Sequence, residues 1–129
     1  KKFVSNCKKN NSLLLAICIL KNNKHIGNLK IGPMNINHKT SEISYFVGDK
    51  KEWGKGYATE SVRLAVKYSF DNLKLYKCIA GVYESNFASS KVLINSGFEK
   101  EATIKKVFDL KTKRENHIIY GIINKKFYV

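Results

Sequence analysis

Ten residues in the middle of the chain, Lys51, Glu52, Trp53, Gly54, Lys55, Gly56, Tyr57, Ala58, Thr59 and Glu60, have the types and spacing to hold an anion. Gly54 and Gly56 let the backbone turn tightly and approach a ligand closely. Apolar periodicity from Thr59 onward predicts a helix, whose first N–H groups lack partners within the helix and carry a partial positive charge. A phosphate placed there would accept several of them. At about 1.5–3 kcal/mol for each hydrogen bond to a charged group, roughly three or four such amides, assisted by Lys51 and Lys55, can hold a pyrophosphate without a metal. The same glycines equally fit an ordinary turn capped by Thr59. A dinucleotide fingerprint would need a third glycine where Thr59 stands, and the spacing of a P-loop is absent.

The surrounding chain of 129 residues is 43% hydrophobic and 26% charged with a single proline, which reads as one compact domain over residues 1–129. Its 24 lysines and arginines against 10 acidic residues give a net charge of +14, so the partners expected are polyanions: nucleic acid, phosphorylated metabolites, a phosphate-bearing cosubstrate or an acidic membrane. Cys7, Cys18 and Cys78 lie far apart with no histidine at ligand spacing, so neither a metal nor a disulfide framework is expected, and a reduced, cytoplasmic setting is. The longest apolar run, 13–20, falls well short of the roughly 20 residues of a transmembrane helix, and no signal-peptide pattern precedes it. No membrane association is expected. Because the chain opens at Lys1 without a methionine, a preceding segment is expected to be missing.

To position the glycine loop, the chain needs a strand before it and a helix after it. Residues 13–20 read as a buried strand and 25–31 as its antiparallel partner across the polar turn 21–24, with a break at Gly32-Pro33. Residues 41–47 alternate Glu42, Ser44 and Phe46 against Ile43, Tyr45 and Val47, a half-polar strand. From Thr59 to Leu73 the period becomes helical, with Val62, Ala65, Val66, Ser69, Phe70 and Leu73 on one side. A strand at 77–83 follows, then a short helix over 86–96 ended by a left-handed Gly97, and two strands around the turn 111–113. The expected order is three strands, helix, strand, helix and two strands, a mixed α/β fold.

The loop Gly54-Lys55-Gly56-Tyr57-Ala58-Thr59-Glu60 resembles the acetyl-CoA pyrophosphate loop of the GNAT superfamily of N-acetyltransferases. Glu42-Ile43-Ser44-Tyr45-Phe46 and Trp53-Gly54-Lys55-Gly56 are similar to its ribosomal-protein alanine/serine acetyltransferase branch, and a second family motif appears as residues 86–93 followed by Gly97-Phe98. The resemblance runs from about Leu13 to the end. It implies a mixed central sheet, flanked by helices, that splays open between the strands at 41–47 and 77–83, with the pantetheine arm of acetyl-CoA in the V. Backbone groups of Tyr45, Phe46 and Val47 would pair with pantetheine. The amides of Gly54, Lys55, Gly56, Tyr57, Ala58 and Thr59 would hold the pyrophosphate, and Asn86 would hydrogen-bond the arm. The family's first strand and first two helices would lie mostly before Lys1, with 3–9 as the end of that helical region.

Acetyl transfer needs a neutral amine, a polarised carbonyl and a proton for the departing thiolate. The resemblance assigns polarisation to the N–H of Phe46 or Val47. Many family members carry a tyrosine proton donor seven residues after the motif asparagine, but Leu93 stands there, and the ribosomal-protein branch directs the role to Ser89. Glu42 and Glu84 are the candidate bases, with Asp109 a third, set against ordinary roles in a surface ion pair and in the turn into Asn86. A weak base suffices for an α-amine, whose pKa is about 7.7–8.0 against about 10.4 for lysine. His25 and His38 read as solvated, His117 as bonded to backbone, Trp53 as packing or flanking the cofactor, and Cys78 as core. The expected acceptor is a protein N-terminal α-amine, with possible ribosome association of a monomer or homodimer. An amino-sugar nucleotide is the alternative acceptor, and a non-catalytic CoA- or RNA-binding basic module is the rival of another class.

Overall fold

The computed structural model describes residues 2–7, as backbone, and 11–127. Four strands open the chain: β1 (Lys2–Cys7), β2 (Ser12–Ile19), β3 (Lys24–Asn35) and β4 (Thr40–Val47). Helix α1 (Tyr57–Asp71), strand β5 (Lys77–Tyr83), helix α2 (Phe87–Asn95) and strands β6 (Glu99–Asp109) and β7 (Arg114–Ile123) follow. All seven strands join one sheet in the order β1-β2-β3-β4-β5-β7-β6. The order agrees with the sequence reading from β2 onward. At the start it differs: residues 2–7 run as a strand antiparallel to β2, Lys2 opposite Ala16 and Cys7 opposite Ser12, and not as a helix end. That pairing supplies backbone partners to a β2 edge that would otherwise be open.

Gly32-Pro33 interrupts the register of β3 without ending it, since pairing with β4 slips between Ile31 and Met34 and resumes at Met34 opposite Ser41. A bulge is where a strand tolerates a residue with no N–H. Helix α1 begins two residues before the expected Thr59, because Gly56 takes the left-handed N-cap position at φ +84°. Val62, Ala65 and Val66 bury its apolar side, and the buried hydroxyls of Ser61 and Ser69 donate to the carbonyls of Tyr57 and Ala65 at 2.7 and 2.8 Å. Small residues at these places let α1 lie close on the sheet. The core it covers includes Ile31, Ile43, Cys78 and Tyr120, with Leu93 of α2 joining it fully buried. Among the described residues no helix is long and apolar enough to cross a membrane.

The sheet is a fork. Antiparallel pairing ties β3 to β4 as far as Gly27 opposite Val47, and β5 to β7 as far as Tyr83 opposite His117. Between them, β4 and β5 pair in parallel at only three rungs, Thr40–Lys77, Ser41–Cys78 and Glu42–Ile79. Past Glu42 and Ile79 the two arms separate as the resemblance implied. Gly27 keeps the β4 arm seated: a β-carbon there would overlap the Phe46 carbonyl oxygen and lie 2.8 Å from Val47 Cα. Both are backbone atoms with no side-chain freedom to absorb the clash. Gly27→Ala is therefore expected to destabilise the fold by about 2–4 kcal/mol, read as a lowered urea midpoint with an unchanged slope.

Candidate active site

A cleft of about 310 Å³ fills the fork. Ile43 and Tyr45 line it from β4, Ala80 and Val82 from β5, and Ser89 and Leu93 from α2. Helix α2 aims its first turn at this space because its N-terminus is tied down twice. Asn86 is the N-cap, its Oδ1 accepting the Ser89 N–H at 3.1 Å. One residue earlier, the Ser85 N–H donates to Glu115 Oε1 of β7 at 3.0 Å. Glu115 is almost fully buried, and its hydrogen bonds to Ser85, with Lys113 3.2 Å away, hold its carboxyl below the usual range. Sequence reasoning gave the ordering of this turn to Glu84 and missed Glu115, a partner 30 residues distant. Glu84 instead accepts from Asn116 Nδ2 at 3.2 Å, just beyond the end of β5.

Below the β4 arm lies the glycine loop. Gly54 and Gly56 have φ of +78° and +84°, and a β-carbon on either would meet nothing within 4 Å. These glycines are required by conformation, and the space over them is open. No side chain caps α1, which leaves its first amides available to a ligand. Thr59 is thus a first-turn residue and not the cap. The approach to the loop is a short 3-10 turn, Lys50–Glu52, capped by Asp49, whose Oδ1 accepts the Lys51 N–H at 3.0 Å. Lys55 Nζ sits 2.7 Å from Glu52, and Lys24 Nζ lies 2.7 Å from Asp49 and 3.6 Å from Glu52. These bonds raise the pKa of both lysines and lower those of both carboxyls. The Trp53 indole donates to the Val47 carbonyl at 2.7 Å and pins the loop to the end of β4, so that carbonyl is engaged within the chain.

The remaining candidates fall in different places. Ser89 and Tyr45 share the cleft, and Leu93 is a core side chain at its floor, 0% exposed. Phe46 is on the opposite face of β4, 66% exposed. Glu42 does not line this cleft; it borders a second one of about 540 Å³ with Asn35, Asn37 and Ile79, beside the last paired rung. Asp109 caps the turn before β7, accepting from Lys111 N at 2.9 Å, and pairs with Arg114 at 3.4 Å. Burial pushes the Cys78 thiol up to about 11, which keeps it protonated and unsuited to nucleophilic attack. His25 Nε2 bonds the Gly27 carbonyl at 2.7 Å and Asn28 Oδ1 at 3.0 Å, so it is not simply solvated. His117 lies over Gly81 and packs its ring at 4.8 Å against Phe108, an aromatic contact where a backbone hydrogen bond was expected.

Comparison with known proteins agrees with this geometry. A family profile described as "Acetyltransferase (GNAT) domain" matches residues 1–99. The probable N-acetyltransferase YjcK of Bacillus subtilis is 42% identical over 86 residues, covering 67% of this chain and 47% of that protein. An uncharacterized N-acetyltransferase, p20 of Bacillus licheniformis, is 25% identical over 112 residues, covering 87% of this chain and 62% of its own length. The chain therefore spans about half to three fifths of these relatives. Among solved structures, the spermidine N-acetyltransferase of Vibrio cholerae in complex with CoA and spermine superposes with a TM-score of 0.83 at 21% identity, over 92% of this chain and 69% of that one. At that identity the likeness is one of fold.

Two outcomes follow from the α2 anchor. Asn86→Ala removes the cap and is expected to cost about 1 kcal/mol in chemical denaturation. Because the folded-state pKa of Glu115 is depressed, its contribution to stability is present above the carboxylate's ordinary pKa of 4.5 and is lost as pH falls through the folded value. Glu115→Gln is expected to flatten that acid limb of a stability-versus-pH curve, and an unchanged limb would show that Glu115 does not anchor α2.

Proposed function

The chain belongs to the acetyltransferase (GNAT) family, and we propose that it moves an acetyl group from acetyl-CoA to a primary amine by direct attack in a ternary complex. The observation that carries this reading is the fork itself, with unpaired β4 and β5 edges leading to an uncapped helix N-terminus behind two positive-φ glycines. Acetyl-CoA supplies the acetyl group as a thioester, an activated acyl carbon. The amides of Gly54, Lys55, Gly56, Tyr57, Ala58 and Thr59 bind its pyrophosphate, with Lys51 and Lys55 adding charge. Backbone groups of Tyr45 and Phe46, and of Val47 through its N–H since its carbonyl is held by Trp53, pair with the pantetheine amides as a neighbouring strand would, and Asn86 Nδ2 donates to the arm. An N–H of Phe46 or Val47 polarises the acetyl carbonyl.

Ser89, on the first turn of α2 and in the cleft, is the group that protonates the leaving sulfur. Glu84, two residues before Asn86, takes the proton of the amine through water, and Glu42 is the second carboxylate at the base of the fork. The acceptor that suits this arrangement best is a protein N-terminal α-amine, which needs only a weak base. A polyamine suits it less: among the described residues no Asp or Glu lines the cleft wall itself, Glu84 and Glu42 standing beyond it, and a chain of net charge +14 repels a free polycation. The same charge favours an N-terminus presented on RNA, as on a ribosomal protein, in a reducing cytoplasm where Cys18 and Cys78 stay free.

Thermal unfolding with and without acetyl-CoA tests the reading. At a hundredfold excess over its dissociation constant the cosubstrate is expected to add about 2.7 kcal/mol of stability. Gly56→Glu, which sets a carboxylate against the pyrophosphate and strains φ, is expected to abolish the gain. A protein that shows no gain yet binds RNA with a steep salt dependence would instead be a basic binding module. Given binding, a 42 Da increment on an N-terminal peptide, and none on an amino-sugar nucleotide, identifies the acceptor class.

A further inference from the structure

Position 93, where a phenol would stand as proton donor, holds a leucine whose side chain is consumed by the core. A phenol nevertheless enters the same cleft from the other arm. Tyr45 turns its ring to the helix-covered side of β4 and packs against the core, and its hydroxyl is buried without a hydrogen-bond partner among the described residues. An unpaired buried hydroxyl is costly, and such groups are uncommon unless something else completes them. Ser89, on α2, lines the same cleft. Burial raises the phenol's pKa above its ordinary value of 10, so it holds its proton at neutral pH and is available as a donor. Tyr83, the other tyrosine bordering the cleft, is not equivalent. It lies on the opposite side of β5 from Ala80 and Val82, 44% exposed, with its ring edge-on to Phe108 at 4.4 Å.

We infer, on the acetyl-transfer reading of this cleft, that Tyr45 and Ser89 form a proton relay to the departing sulfur, with Tyr45 supplying from β4 the phenol that Leu93 cannot supply from α2. As the amine nitrogen bonds the acetyl carbon, the carbon–sulfur bond breaks and its electron pair stays on sulfur. Ser89 Oγ–H gives its proton to that sulfur and takes one from Tyr45 Oη–H. Solvent returns a proton to the tyrosinate, and the proton lost by the amine nitrogen leaves through the base, so the exchange balances. Ser89 is the residue that touches the reacting atom, and Tyr45 acts through it. A serine hydroxyl alone is a much weaker acid than a phenol, which is why the pair is needed.

The test reads the product directly and needs no acceptor. CoA labelled with ¹³C at the carbon bonded to sulfur is bound at saturation to the protein and to Tyr45→Phe, and its thiol is titrated by NMR. The relay's hydrogen bonds favour the thiolate, so the thiol is expected to titrate about one unit lower on the unchanged protein than on Tyr45→Phe. The field of the α2 N-terminus is common to both and cancels. With an acceptor in hand, kcat is expected to fall about 100-fold in Tyr45→Phe with little change in KM. Should Tyr45→Phe fail to fold, Ser89→Ala carries the same expectation of a raised thiol pKa. Equal titrations with CoA bound to both proteins overturn the relay, and so does a shift produced by Tyr83→Phe in place of Tyr45→Phe. Failure of CoA to bind the unchanged protein is a different result: it removes the acetyl-transfer reading, and the relay with it.

Discussion

Parallel pairing between β4 and β5 stops after three rungs, and the rest of the molecule is arranged around that interruption. Two strands that could continue to pair do so unless something holds them apart, since buried backbone groups without partners cost free energy comparable to lost hydrogen bonds. Here each arm is held by its outer neighbour, β4 by β3 along nearly its whole length and β5 by β7 as far as Tyr83. The wedge between them is formed by side chains: Tyr45 enters from one arm, and Leu93 and Ser89 enter from α2. The opening is therefore a built part of the fold and not a frayed edge. A ligand with amides of its own can complete both edges as an added strand would.

The helices convert that opening into a site with two ends. Their relative placement is fixed away from the cleft, where Arg63 Nη2 of α1 donates to the Asn95 carbonyl at the end of α2, 2.6 Å away. Ser96 Oγ, which bonds Val92 O at 2.7 Å, also approaches the Thr59 carbonyl at 3.5 Å. With the C-terminal end of α2 held against α1, and its N-terminal end held through Asn86 and the Glu115–Ser85 bond, the direction of α2 has little freedom. Both helix N-termini then lie at the fork with their partial positive charge. One stands over the glycine loop, suited to phosphate. The other carries Ser89 and faces the cleft.

Much of this was legible in the chain because it rests on local rules. The alternation of 41–47, the helical period after Thr59, the Gly97 stop and the turn at 111–113 each depend on neighbours within a few residues, and each lies within about two residues of its observed place. Gly54 and Gly56 were legible for the same reason, as glycine is the residue that adopts positive φ without cost. What escaped depends on distant pairing. Glu115 orders the turn before α2 from across the sheet, and nothing at position 115 announces Ser85 as its partner. Tyr45 reads in sequence as a strand residue offering backbone groups. That its hydroxyl is stranded beside Ser89 follows only once the fork and the tilt of α2 exist. Gly32-Pro33 looks like a stop because a local rule cannot see that a bulge between the Ile31–Ile43 and Met34–Ser41 pairs lets the strand run on.

The charge around the glycine loop obeys a constraint of its own. Four lysines, at 24, 50, 51 and 55, surround two carboxylates, Asp49 and Glu52, in a segment that would otherwise repel itself. Glu52 is nearly buried and collects Lys55 and, at longer range, Lys24, while Asp49 takes Lys24 and caps the turn. Exposed pairs of this kind contribute little to stability, about 0–1 kcal/mol. Their effect lies in placement: long side chains that would sample many rotamers are held beside the loop, and the count still leaves two positive charges in excess. An anion placed at the α1 N-terminus would meet cations already positioned and amides without a side-chain cap, so less of its binding free energy would be spent on ordering them. The acidic residues of this basic loop thus organise its lysines, and removing them would add positive charge while loosening the segment that carries it.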